Sequence, residues 1–364
     1  PIGDGETMSL NAQTNGKYYQ SYGLQYATNW FGGKRPIQFT LGANFSKSTD
    51  VNTSYYSRSY MQNYYNYMYG VGNYNYNNYE NYLDPDKYIQ IWGFYAGWGK
   101  RLRWPDDYFQ LSVQLSYQRY ILKNWRYFLI MSNGTANNLS LNISLNRSST
   151  DNQLYPRTGS EFSASLSITP PWSKFDKKDY KNLANDRFSA TYQQEQQEKY
   201  RWVEYHKWKF KARTFTALSS GSKCFVLMTR VEFGLLGSYN RYKKSPFETF
   251  YMGGDGMSGY SSSYAQETIG LRGYDNGQLT QRGEGYAYDR MTLELRYPFL
   301  LGNTTVYGLG FVEAGNAWTE TSKFNPFDMK RSVGLGVRIY LPMVGMMGID
   351  WAYGFDKVFG KKGG

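Results

Sequence analysis

One cysteine and one histidine occur in 364 residues, and each scarcity excludes a class of protein. Cys224 alone cannot form an intrachain disulfide, so no disulfide framework supports the fold. His206 alone leaves Ser-His catalysis or a multi-histidine metal site little to work with. No metal site, resident cofactor or enzymatic activity is therefore expected. Nor does any segment reach the roughly 18 consecutive apolar residues of a transmembrane helix, and the mean hydropathy is −0.66. Helical membrane proteins are excluded. Yet 38 Tyr, 21 Phe and 10 Trp make the chain too aromatic for disorder. Its apolar residues must be spread one at a time.

They are spread with a period of two. Leu111, Val113, Leu115 and Tyr117 alternate with Ser112, Gln114, Ser116 and Gln118, which is a strand with one apolar and one polar face. The pattern recurs at Leu139 to Asn146 and at Val333 to Ile339. Trp208, Phe210 and Ala212 alternate instead with Lys207, Lys209, Lys211 and Arg213. Four cations in a row cannot enter a dry core. That face looks at bulk solvent or lines a watery lumen.

Loop lengths separate these readings. Short Gly-, Pro- and Asp-rich links, such as 32–36, 104–107, 151–159, 219–222, 300–302 and 342–345, alternate with long ones near 47–87, 122–136, 170–200, 240–285 and 319–330. The short turn near Asn15-Gly16 is the one departure. Short turns on one rim and long loops on the other are the signature of a transmembrane antiparallel β-barrel of the outer membrane. A soluble sandwich has no reason to sort its loops in this way. Thirteen strands are expected, near 6–14, 18–31, 36–47, 88–102, 108–121, 136–149, 160–169, 201–217, 223–239, 286–299, 303–318, 331–341 and 346–356. Bacterial single-chain barrels close with an even number. The odd count therefore predicts that the chain enters at the short-turn, periplasmic rim, leaves outside after Asp356, and lacks at least one returning strand.

The 240–285 link carries Phe250-Tyr251-Met252-Gly253-Gly254 and then Leu271-Arg272-Gly273-Tyr274. Behind it come Leu293-Glu294-Leu295-Arg296-Tyr297-Pro298 and Phe311-Val312-Glu313-Ala314-Gly315-Asn316-Ala317-Trp318. In order and spacing these resemble the Omp85 superfamily, whose sixth extracellular loop folds into the barrel with a (V/L)-R-G-(F/Y) motif after an F-Y-x-G-G segment. The likeness covers residues 1–364 as one barrel domain, most strongly Ser245 to Tyr353, and is greatest to the barrel-assembly branch. It implies a sixteen-strand barrel preceded by periplasmic POTRA domains. The thirteen strands would then be the third to fifteenth, with the missing ones beside a lateral seam that templates incoming strands. The implied function is folding and insertion of other barrels into the Gram-negative outer membrane, with polypeptide secretion or a solute channel as the alternative. The implied partners are unfolded barrel clients, accessory lipoprotein subunits, and outer-membrane lipid and lipopolysaccharide.

Alternation also predicts the motif's receptor. Glu294 lies opposite Leu293 and Leu295, and Phe311 and Glu313 share the inward face of the next strand. Two carboxylates and a ring suit a guanidinium through charge-assisted pairing and cation–π contact. Arg272 is the expected guest, Gly273 allows a tight turn, and Gly253 and Gly254 serve loop packing.

Other features are weaker. Gly254-Asp255-Gly256-Met257-Ser258-Gly259 has dinucleotide-fingerprint spacing without the strand before and helix after that the fingerprint needs. The formal charge of +12, from 41 Lys+Arg against 29 Asp+Glu, comes without a nucleic-acid-binding motif, so anionic lipid is the better partner. Arg230, Glu232, Arg290 and Arg296 put both signs on the inward face, which favours a hydrated lumen over an anion-selective pore. Trp30, Trp104, Trp172 and Trp318 near strand ends suggest aromatic girdles. Residues 55–82 contain 11 Tyr and 7 Asn, and Tyr55, Tyr64, Tyr69 and Tyr76 are read as an external docking loop.

Overall fold

The computed structural model describes residues 5–33, 37–51, 83–125, 132–176, 178–186, 188–221, 223–256, 267–280, 285–358 and 361–362. Tyr55, Tyr64, Tyr69 and Tyr76 lie outside them, as does Gly259. Thirteen strands form one antiparallel sheet: β1 (Thr7–Asn15), β2 (Tyr19–Thr28), β3 (Ile37–Val51), β4 (Leu83–Arg101), β5 (Phe109–Lys123), β6 (Gly134–Ser148), β7 (Gly159–Ile168), β8 (His206–Ala217), β9 (Val226–Gly237), β12 (Ala287–Leu300), β13 (Thr305–Trp318), β14 (Lys330–Leu341) and β15 (Gly345–Gly354). They are ordered along the sheet as along the chain. The 240–285 loop adds a short parallel pair, β10 (Phe250–Met252) and β11 (Glu267–Ile269), inserted between β9 and β12. β16 (Lys357–Val358) and β17 (Lys361–Lys362) form a two-stranded ribbon.

Burial follows the predicted period. On β12 to β15, Leu293, Leu295, Val312, Leu335, Ile349 and Trp351 are exposed, while Thr292, Glu294, Phe311, Glu313 and Ser332 are buried. This inversion of the usual rule needs lipid on the apolar face. Charge on such a face costs about 2–4 kcal/mol per Lys or Arg at the bilayer midplane, so the Lys207–Arg213 ladder must face the other way.

The chain divides into two compact units. The first comprises Pro1–Trp98, Gln114–Leu141 and Thr169–Glu204. Here the 170–200 link departs from the expected plain loop. It holds the helical turn α1 (Trp172–Phe175) and helix α2 (Tyr192–Lys199), and β8 starts at His206 rather than at residue 201. The link is fastened to β6: Asn137 N–H donates to Arg201 O at 2.9 Å, and Val203 N–H donates to Asn137 O at 2.8 Å. Glu204, buried, accepts from Ser173 N–H at 2.7 Å and from Ser173 Oγ at 2.6 Å. Trp172, expected in a girdle, sits on α1 with its ring 4.7 Å from Trp202.

The second unit comprises Gly99–Val113, Asn142–Ile168 and Tyr205–Gly364. Its core gathers Tyr155, Phe215, Cys224, Val226, Met228, Tyr307, Leu309 and Phe311. Tyr155 reaches in from the β6–β7 turn and donates to Cys224 O at 3.1 Å. That turn is closed by Asp151, whose Oδ1 accepts the backbone N–H groups of Arg157 at 2.8 Å and Thr158 at 3.2 Å. Burial pushes the Asp151 carboxyl up, but these bonds and the Arg157 charge outweigh it and hold it below the usual range. The described residues of the 240–285 loop lie against the polar face of this unit.

Candidate functional site: the inserted loop and its ionic receptacle

The loop is first built against itself. The Phe250–Met252 strand runs parallel to Glu267–Ile269, and Gly253 N–H donates to Ile269 O and Gly254 N–H to Tyr274 O, each at 2.9 Å. Both glycines have positive φ, and a Cβ on Gly253 would lie 2.3 Å from Asp275 O. The two motif segments are therefore one folded piece. Leu271 is fully buried within it, and the next residue projects the other way, toward the strands.

That residue is Arg272. Its Nη2 lies 2.7 Å from Glu313 Oε1 on β13 and 3.1 Å from Glu294 Oε2 on β12, and its Nη1 lies 3.4 Å from Asp350 Oδ2 on β15. Its backbone N–H also donates to Glu313 Oε2 at 3.0 Å, and its Cζ stands 3.4 Å from the centroid of the Phe311 ring. Gly273 turns the chain at φ +89°, where a Cβ would meet Ser332 Cβ at 2.9 Å and Gly354 N at 3.0 Å. Tyr274 then donates from its hydroxyl to Arg331 O on β14 at 2.7 Å. Three residues thus touch four consecutive strands.

The structure brings the expected residues together and adds others. Asp350 is a third carboxylate. The same alternation marks it, since Ile349 and Trp351 point outward, but nothing in the motif draws attention to it. Each carboxylate also has an arginine on the strands: Arg290 Nη2 lies 2.8 Å from Glu313 Oε1, Arg296 Nε 2.6 Å from Glu294 Oε1, and Arg338 Nη2 2.7 Å from Asp350 Oδ2. Thr292 Oγ1 donates to Glu313 Oε1 at 3.2 Å. Gly334 on β14 makes the geometry possible, because a Cβ there would sit 2.4 Å from Phe311 Cζ.

A second fastening was not anticipated. Lys207 Nζ on β8 lies 2.8 Å from Glu267 Oε2 and 3.3 Å from Glu248 Oε2, and Lys209 Nζ lies 2.9 Å from Glu267 Oε1. Burial would raise the Glu267 carboxyl, but the two lysines outweigh it and hold it below the usual range. Half of the ladder read as a lumen lining is thus a mount for the loop. Lys211 lies 3.3 Å from Glu232, and Arg213 pairs with Glu161. A polar cavity of about 500 Å³ lies between ladder and motif. Among the described residues no cluster of three or more His, Cys, Asp or Glu could hold a metal.

Residues 2–363 match the Omp85 superfamily domain. The chain belongs to the Omp85 superfamily. This makes it an outer-membrane β-barrel protein, and no described helix is long and apolar enough to cross a membrane. Among solved structures, BamA from Haemophilus ducreyi lacking POTRA domains 1–3 is similar in fold, with a TM-score of 0.62 and 15% identity over 99% of this chain and 63% of that one. CdiB from Escherichia coli is more distantly similar, with a TM-score of 0.47 and 10% identity over 93% of this chain and 49% of that one. The Omp85 chain described here therefore spans less than two thirds of either structure. Comparison with curated protein sequences gives no match.

Proposed function

We propose that this Omp85 barrel is the membrane part of an assembly factor that folds other β-barrel proteins and inserts them into the outer membrane through a lateral seam. Its work is strand templating and local bilayer weakening, without covalent chemistry. The short turns face the periplasm and the long loops the outside. Unfolded barrel clients, accessory lipoprotein subunits and outer-membrane lipid are its partners.

One observation carries this reading: a single arginine of the inserted loop contacts β12, β13 and β15 at once. β15 is the last strand of the described sheet, on the side where the resemblance places the lateral seam, and a strand edge exposed at such a seam is a template for β-augmentation. A loop gripping that strand and its neighbours can brace the wall beside the place where a client strand would pair.

Depletion in the cell is the test. Loss of many unrelated outer-membrane barrels, before any loss of a particular solute or exported polypeptide, is the expected result. Normal barrel levels after depletion, together with ion conductance of the purified protein in planar bilayers, would replace this reading with a channel.

A further inference from the structure

On the face opposite the lysine ladder, at the long-loop end of β8 and β9, the lipid-facing rows end in a column of rings. Trp208, 48% exposed, pairs across the sheet with Leu166 of β7 and Leu235 of β9. One level nearer the loops, His206 pairs with Gly237, and its ring fills the place where a side chain would stand: a Cβ there would lie 2.1 Å from His206 Cε1. Trp208 Nε1 donates to His206 Nδ1 at 3.1 Å, which assigns the proton of the neutral ring to Nε2. The His206 ring lies 5.3 Å from Tyr239.

Beyond this column lies a cavity of about 910 Å³, whose lining includes His206, Trp208, Leu235, Tyr239, Arg241, Lys244 and Glu320. Arg241 lies over the Tyr242 ring at 4.6 Å and Lys244 over the Tyr286 ring at 5.2 Å. Among the described residues neither cation has a carboxylate within salt-bridge distance, and Glu320 faces Lys323 at 3.5 Å. The cavity therefore joins a lipid-facing indole to two cations that no described carboxylate neutralises.

We propose that this cavity seats the phosphorylated sugar headgroup of an outer-leaflet glycolipid. Arg241 and Lys244 would take a phosphate, for which a guanidinium supplies forked donors and an ammonium a point charge. Trp208 and Tyr239, flat and amphipathic at the membrane boundary, offer ring faces to the sugar. Leu235 and the exposed apolar row below continue into the acyl region. A simple anion would need the cations but not the rings, and an apolar chain the reverse. The assignment to the outer leaflet rests on the orientation proposed above.

The test uses the whole chain, folded in phosphatidylcholine nanodiscs, with retained lipid read by native mass spectrometry. Bisphosphorylated lipid A is expected to be retained in preference to phosphatidylglycerol and to fully dephosphorylated lipid A. The Arg241→Gln/Lys244→Gln double variant should weaken retention about tenfold or more, the loss expected when charge-assisted bonds to a phosphate are removed. Heat-resistant mobility on gels shows that the variant is folded, and Trp208→Ala with both cations intact should lose part of the preference. Retention in the double variant equal to that of wild type would overturn the proposal. So would equal retention of phosphatidylglycerol, or complete displacement by millimolar inorganic phosphate, which would leave a plain anion site. Assembly in the depleted cell is scored separately, so failure of either reading does not mimic failure of the other.

Discussion

Arg272→Ala is the most direct perturbation of the receptacle, and its size can be worked from the contacts. Breaking a buried ion pair by removing one partner costs about 3–5 kcal/mol when the other charge is left bare. That is not the case here. Glu313 keeps Arg290, Thr292 and the backbone N–H of residue 272, Glu294 keeps Arg296, and Asp350 keeps Arg338. The loss is therefore below that range, about 2–3 kcal/mol in loop docking, or roughly 30- to 150-fold in the undocked population. Proteolysis within the 240–285 loop of the otherwise folded protein reads that population directly when opening is fast relative to cleavage, and should accelerate by the same factor. Arg272→Lys should fall between, because the charge remains while the fork that spans three carboxylates is lost. Wild-type cleavage rates and gel heat resistance in Arg272→Ala would refute the claim that this ion cluster holds the loop.

Three further outcomes follow from the geometry. Glu267→Gln removes the carboxylate shared by Lys207 and Lys209, while Lys207 retains Glu248; loop cleavage should rise less than in Arg272→Ala, and the two effects should add within about 0.5 kcal/mol if the fastenings are independent. Gly334→Ala places a methyl 2.4 Å from Phe311 Cζ and from Trp351 O; overpacking of about 1–3 kcal/mol should displace the ring under Arg272 and loosen the loop with no charge altered, and unchanged proteolysis would show that Phe311 is not part of the seat. Asp151 has its carboxyl held below the unfolded value, so its contribution is present above the unfolded pKa of about 3.9 and fades as pH falls through the lower folded value. Urea unfolding should show Asp151→Asn with a shallower loss of stability below about pH 4, and identical acid profiles would remove Asp151 as a turn lock.

The barrel was legible because one face of each strand meets lipid: a period of two survives when Leu293, Leu295 and Val312 must be apolar and Glu294 and Glu313 must not. The motif was legible for the same reason, since alternation fixes which side Glu294 and Phe311 take before any partner is known. Helix α2, in contrast, reads YQQEQQEK, with no apolar stripe to betray a period of 3.6. The extension of β3 to Val51 was hidden because Ser48, Thr49 and Asp50 are buried polar residues that read as loop. Lys207 and Lys209 were visible as inward cations, but their partner Glu267 sits on a strand of three residues in the loop, too short to carry a pattern. Sequence alternation tells which way a residue faces; it does not tell what a folded loop brings to meet it.

The receptacle has one more property, which bears on why the loop is held by ions rather than by an apolar plug. Glu294, Glu313 and Asp350 each have a strand-borne arginine, so without Arg272 the cluster is three carboxylates against three guanidinium groups and already neutral. Arg272 enters as a surplus cation. Its departure strands no buried carboxylate. An apolar plug of the same area would expose hydrocarbon on leaving and close again at once. A seat already neutral when empty makes docking specific in position yet modest in energy. That combination suits the proposed brace, which would hold the wall beside the seam in place and release it when a new strand is to be paired.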